Sequence, residues 1–315
     1  MMRWLSAARS SEAAGSVAIF ALLFATYFVL KGGHYSLFEA GNLATNVLPL
    51  AVVGLAQYFV VLVRGIDLSL GPIMAVSGSL AAVLFPLGIL PAIVVALAAG
   101  LVAGALNGLL IARLRLSPIV VTLATMSVWD GVALIVLPVP GGTIPPALQA
   151  LLTTTPSFLP MSLVLLVAST LLGSWVMTTR FGLQLRAIGG DEVAAEASGV
   201  NVTRCRLYAY MLAGFLAACA GLYFAISTMA GSPIIGDGYV LPSIGAVVLG
   251  GVPLIGGRGS PIGVVMGALI LTIIGSLLYF ADLADFYQSL INGVILIVVV
   301  GAAAVRDWVR KAAGR

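Results

Sequence analysis

The chain has 315 residues, 61% of them hydrophobic and 8% charged, with a formal net charge of +4. Its mean hydropathy is +1.16, whereas soluble domains carry roughly 25% charged residues. That composition excludes a soluble globular protein, and at about 20 residues per spanning helix the length leaves no room for a catalytic domain outside a bilayer.

In chain order, apolar runs predict spans near residues 15–30, 43–63, 68–87, 92–112, 119–137, 161–177, 208–227, 241–256, 261–280 and 286–305. The first run follows Arg3 and Arg9 as a secretory signal would. No small-x-small cleavage pattern follows Leu30, so it is read as an uncleaved span. Only Arg64-Gly-Ile-Asp67 separates the second and third runs, and this stretch reads either as a loop or as a re-entrant break buried in protein.

Basic residues test the orientation, because loops rich in Lys and Arg stay in the cytoplasm. With the N-terminus inside, 14 of the 15 basic residues fall in inner loops and Lys31 alone falls outside. The expected fold is therefore all-α: a polytopic integral membrane protein of about ten transmembrane helices, both termini cytoplasmic, forming one domain over residues 1–315. The positive charge reports this topology and gives no support to nucleic-acid binding. Glycines recur every fourth residue at Gly100, Gly104 and Gly108, and again at Gly263 and Gly267, as expected where helix backbones pack closely.

Several chemistries are missing. His34 is the sole histidine, so neither a histidine-based triad nor a multi-histidine metal site can be built. The two lysines, Lys31 and Lys311, do not stand in a Gly-Lys-Ser/Thr phosphate loop. Cys205 and Cys219 fit no metal or redox spacing and read as small packing residues. Asp130, some 11 residues into the fifth run, would lie roughly 17 Å along its helix, in the outer half of the membrane. A charge there is either a group on a polar pathway or a buried Asp satisfied by its neighbours. Thr122, Thr125 and Ser127 precede it and suit a hydroxylated cargo.

Charge concentrates in one place. Seven charged residues lie between Arg180 and Arg206, in a chain with only 15 basic and 11 acidic residues. Within a loop spanning about 179–207, Gly189-Gly190 reads as a flexible entry, Asp191 as an N-cap, and Glu192 as an acid suited to the positive end of a helix dipole. Residues 193–198 favour helix, Gly199 is placed to end it, and Asn201 or Thr203 could cap the next span. So short a helix is unstable alone and needs a partner. Its small residues Ala194, Ala195 and Ser198 would let another surface approach closely.

This stretch resembles the pattern A-I-G-G-N-x-x-A-A-x-x-S-G-I-x-V of permease subunits from bacterial ATP-binding-cassette sugar importers, the ribose, xylose, arabinose and galactose type. The resemblance continues in order through Gly65-Ile-Asp67-Leu-Ser69-Leu-Gly71, Asn107-Gly108, Ser117-Pro-Ile119, Thr122-Leu-Ala-Thr125-Met126 and the glycine-rich run 250–267. It implies a bacterial inner-membrane permease that is not an enzyme and carries a monosaccharide or similar small polar solute. It also implies a second permease copy or paralogue, a periplasmic sugar-binding protein, and cytoplasmic ATPase subunits that hydrolyse the ATP, so that this chain binds no cofactor. The coupling residues it implies are Gly189, Gly190, Asp191, Glu192, Ala194, Ala195, Ser198 and Gly199. Asp67, Asn107, Thr122, Thr125 and Asp130 are the candidate pathway residues. Two positions depart from the family: Asp191 replaces the usual Asn, and Trp129-Asp130-Gly131 stands where relatives often have Arg-Gly. A self-sufficient secondary carrier or channel is the competing reading.

Overall fold

The computed structural model describes residues 2–153 and 160–280, with isolated positions between 287 and 301. Among the described residues it is all-helical apart from a single bridge between Gly141 and Gly231. The helices are α1 (Met2–Leu30), α2 (Leu37–Leu62), α3 (Leu70–Leu84), α4 (Ile89–Leu114), α5 (Pro118–Val136), α6 (Pro146–Thr153), α7 (Met161–Val176), α8 (Arg180–Gly190), α9 (Glu192–Ala197), α10 (Val202–Thr228), α11 (Asp237–Leu249) and α12 (Pro261–Phe280).

Among the described residues six helices are long and apolar enough to cross a membrane: α2, α3 with its 3-10 extension to Leu87, α4, α5, α10 and α12. A seventh arises if α7 and α8, bent by 71° at residues 177–179, count as one span. Ten spans, the sequence expectation, are not all found among the described residues. The described apolar part of the first run, Gly15–Leu30, is shorter than a full span, and the tenth run lies outside the described residues apart from isolated positions. The eighth run, expected to reach residue 256, is helical only to Leu249. Beyond it Gly251, Gly256 and Gly257 take positive φ and Pro253 lacks an N–H donor, so the helix does not continue.

α2 is the central helix, buried on nearly every side from Val47 to Leu62. Its start is fixed by a reciprocal cap in which Ser36 N donates to Glu39 Oε2 (2.7 Å) while Glu39 N donates to Ser36 Oγ (3.3 Å). Just before it, Lys31 pairs with Glu39, which holds the ammonium above its usual pKa, and lies over the Tyr27 ring. The stripe Gly100–Gly104–Gly108 of α4 lies against α10, where a Cβ on Gly104 would overlap the Tyr210 carbonyl. Gly263 and Gly267 of α12 meet α11 in the same way. α4 and α5 expose most of their outer faces, α5 above all.

Candidate functional site

The charged stretch folds as two helices meeting at Asp191. Asp191 Oδ1 accepts from Ala194 N at 3.1 Å and so caps α9. Gly199 closes it in a left-handed conformation (φ +85°), with Gly199 N bonded to Glu196 O and Val200 N to Ala195 O. Asn201, not Thr203, caps α10, accepting from Arg204 N at 2.9 Å. Val193, Ala194 and Ser198 are exposed, and Val193 is an exposed apolar side chain absent from the small face read from the sequence. Ala195 turns inward and is buried against its own chain. Glu192 pairs with Arg206 at 2.6 Å, tying α9 to α10; half-exposed pairs of this kind contribute at most about 1 kcal/mol.

Gly189-Gly190 is not a flexible entry. Both residues complete α8, and their carbonyls accept from Arg64: Nε to Gly189 O at 3.0 Å and a terminal nitrogen to Gly190 O at 2.8 Å. A guanidinium suits the negative end of a helix. Gly189 also abuts the backbone at Leu62 and Gly257, so tightly that a Cβ would overlap both. Gly257 N in turn donates to Leu62 O (3.2 Å), and Gly259 O accepts from Tyr58 (3.1 Å) and Arg186 (3.3 Å). Here α2, α8 and the glycine-rich segment 250–260 meet through main-chain atoms.

Arg64 occupies the left-handed region itself (φ +62°), a conformation that costs a non-glycine residue about 1–2 kcal/mol. It closes α2 through Arg64 N to Val61 O and Gly65 N to Val60 O. The chain then folds back along α2: the Gln57 amide, oriented by its partners, donates to Asp67 O (3.0 Å) and accepts from Asp67 N (3.2 Å). Residue 57 is about 7 Å, five helical residues, before the end of α2. Beyond the exposed Arg64 the chain is thus a turn largely buried in protein, with Gly65, Asp67 and Ser69 all buried. Non-helical backbone at such depth persists only when its polar groups are satisfied by protein.

Four of the five candidate pathway residues gather around it. Asp67 accepts from Ser69 N (2.9 Å), Ser69 Oγ (2.7 Å) and Asn107 Nδ2 (3.4 Å), and Asn107 also donates to Ser69 Oγ (2.7 Å). Thr122 Oγ1 donates to Ile66 O (3.1 Å) and Thr125 to Thr122 O (3.3 Å). This network ties α3, α4 and α5 to the turn. Asp67, Asn107 and Thr122 are at most 1% exposed. Asp130 is not part of the group; it sits two turns beyond Thr122 on a partly exposed face of α5. Gln57, Ser69, Arg64 and Arg206 were not among the candidate site residues, although a lone amide inside an apolar run was a usable signal for Gln57.

Arg64 lends itself to a paired test. Arg64→Gly keeps the turn and relieves its strain while removing the clamp on α8; Arg64→Ala removes the clamp and leaves the strain. In thermal melts of the purified protein, the glycine variant is expected to exceed the alanine variant by about 1 kcal/mol. Both should uncouple α8. Equal melting would show that the left-handed turn is unstrained.

Cys205 Sγ donates to Gln184 (3.3 Å) and both cysteines are free, in keeping with packing roles. Between α2, α7 and α10 lies an apolar cavity of about 370 Å³ lined by Leu48, Phe59, Leu172 and Phe215, which offers little to a polar solute.

Residues 40–300 match the family model for the permease component of the branched-chain amino acid transport system. The chain belongs to this permease family. It is 34% identical over 288 residues to the ribose import permease protein RbsC of Bacillus subtilis, covering 88% of this chain and 89% of the relative. It is 31% identical to RbsC of Escherichia coli K12 (89% of each chain) and 33% identical to the autoinducer 2 import system permease protein LsrC of an Enterobacter species (93% and 86%). No solved structure matches. As a member of the permease family the chain is a multi-pass bacterial inner-membrane protein and not itself an enzyme, and the resemblance to sugar-importer permeases read from its motifs holds.

Proposed function

We propose that the chain is the membrane subunit of an ATP-binding-cassette importer, forming with a second copy or a paralogue the path for a monosaccharide or similar small polar solute. A periplasmic binding protein delivers the solute. Separate cytoplasmic subunits hydrolyse ATP, and this chain holds no nucleotide. In this reading the chain is one domain of about ten spans with both termini in the cytoplasm, and the α8–α9 end bearing Arg64 faces the ATPase.

The observation that carries the reading is the anchoring of α9. Its exposed face presents Val193, Ala194 and Ser198, while its flanks are tied to α10 by Glu192–Arg206 and to α2 by Arg64. From Arg64 the buried turn reaches α3, α4 and α5 through Asp67, Asn107 and Thr122. A push on this small helix therefore moves helices and does not merely deform a loop. The ribose-import relatives support a hydroxylated cargo.

Ala194→Trp tests the reading, because the side chain points to solvent and the fold should tolerate it. Co-purification with the ATPase encoded nearby, and ATP-driven uptake, should both fall at least about tenfold. Ala195→Trp should instead lower the melting temperature, since that side chain is buried. Full ATPase capture by Ala194→Trp, or uptake by this chain alone under an ion gradient without ATP, overturns the proposal.

A further inference from the structure

The apolar cavity between α2, α7 and α10 is long and open on one side. Its walls come from Leu48–Phe59 of α2, Leu165–Val176 of α7 and Leu212–Tyr223 of α10, each stretch about 16 Å long. That is close to the hydrocarbon depth of one leaflet, about 15 Å. α7 packs on α2, α6 and α12, and the cavity lies in the space between it and α10, with Leu172 on the lip 61% exposed. The one hydroxyl on the α7 wall, Ser169 Oγ, is already bonded to Leu166 O at 2.9 Å. Water would find almost no polar partner here, whereas hydrocarbon is the medium on the open side.

The cavity ends at a basic corner. Val176 is the last residue of α7, and after a bend of 71° Arg180 opens α8. α8 crosses the first turn of α10 where Cys205 Sγ meets Gln184, one turn after Arg180. Arg204 stands beside Cys205, and Arg204, Tyr208 and Leu212 follow one face of α10 up to the cavity wall. Arg180 and Arg204 are exposed, and among the described residues neither guanidinium makes a hydrogen bond or ion pair. Trp175 and Tyr208, both exposed, flank the same end; in membrane proteins such rings sit at headgroup level.

We propose that the cavity and this corner bind one anionic phospholipid, with an acyl chain between α7 and α10 and its phosphate against Arg180 and Arg204. The apolar walls account for the acyl chain, and the two unpaired guanidinium groups for the charge of the head. Neither feature suffices alone: the walls would accept any lipid, and the basic pair any anion. The bound lipid braces α10 against α7 just before the bend that leads to α8 and α9. The site requires only that the protein lies in a bilayer, so it stands apart from the reading of α9 as a docking helix.

The test is lipid retention, read by native mass spectrometry of the full-length protein in detergent micelles with palmitoyl-oleoyl phosphatidylglycerol or the matching phosphatidylcholine added. The parent should carry one phosphatidylglycerol, bound at least about tenfold more tightly than phosphatidylcholine. Arg180→Gln with Arg204→Gln should remove that preference, whereas Arg113→Gln with Arg115→Gln, at another exposed basic pair, should keep it. Cys219→Phe with Ser169→Leu fills the cavity and should weaken retention of both lipids at least about fivefold. In a Cys205→Ser background Cys219 is the remaining thiol, and added phosphatidylglycerol should slow its reaction with N-ethylmaleimide at least about fivefold. That readout leaves the cavity walls intact. Equal retention of the two lipids by the parent, full retention by the filled variant, loss of the preference in the Arg113 and Arg115 variant as well, or unchanged Cys219 labelling overturns the proposal. Neither measurement involves an ATPase or a solute.

Discussion

Gly189→Val is expected to be the most damaging single substitution at the α8 end. A Cβ at this position overlaps the Leu62 carbonyl and the Gly257 backbone, neither of which can rotate away. The helix must move off α2, taking the Arg64 contacts with it. Overpacking against rigid atoms costs about 3 kcal/mol or more, which for a chain of this size lowers the melting temperature by roughly 6–12 °C. Gly190 supplies the control: it is the next residue in the same helix, with nothing near its Cβ position. Gly190→Ala should therefore melt within about 2 °C of the parent. If the two variants melt alike, the backbone junction is not a determinant of stability.

The second large effect is expected at Asp67. Asp67→Ala leaves Ser69 N, Ser69 Oγ and Asn107 Nδ2 without their carboxylate acceptor in a site closed to solvent. Each stranded donor costs about 1–3 kcal/mol and the losses are not additive, so a total of about 3–5 kcal/mol is expected. Asp67→Asn should fall between, since its amide oxygen can still accept from Ser69 while its NH2 faces the Asn107 donor. Denaturant or thermal unfolding of Asp67→Ala, Asn107→Ala and the double variant gives the coupling, expected to exceed about 1 kcal/mol. A stable Asp67→Ala that has lost only transport would instead place Asp67 on the solute path.

The sequence was most informative where side chains carry the signal. The bounds of α12 match the expected run at both ends, and the Asp191 cap and the Gly199 terminator stand where the residue types put them. It misled where main-chain atoms meet. Gly189-Gly190 looked like slack because glycine is common in flexible loops, yet here its missing Cβ allows three backbones to touch. The run 241–256 looked like one span because hydropathy does not register that its second half turns under α2. Ala194 and Ala195 looked equivalent; only the position of α10 and the α2 end decides which of them faces outward. For the same reason the burial of the turn at Asp67 could not be read until the partners of Asp67 were known.

The Arg64 joint has an operating consequence. Its donor is a guanidinium and its acceptors are neutral carbonyls. Its acceptors carry no formal charge, so it is not an ion pair for salt to screen. Glu192–Arg206, on the other flank of α9, is an ordinary half-exposed ion pair whose attraction fades as ionic strength rises. The short helix α9 is thus held on one side by a fixed pin and on the other by a tie that slackens in salt.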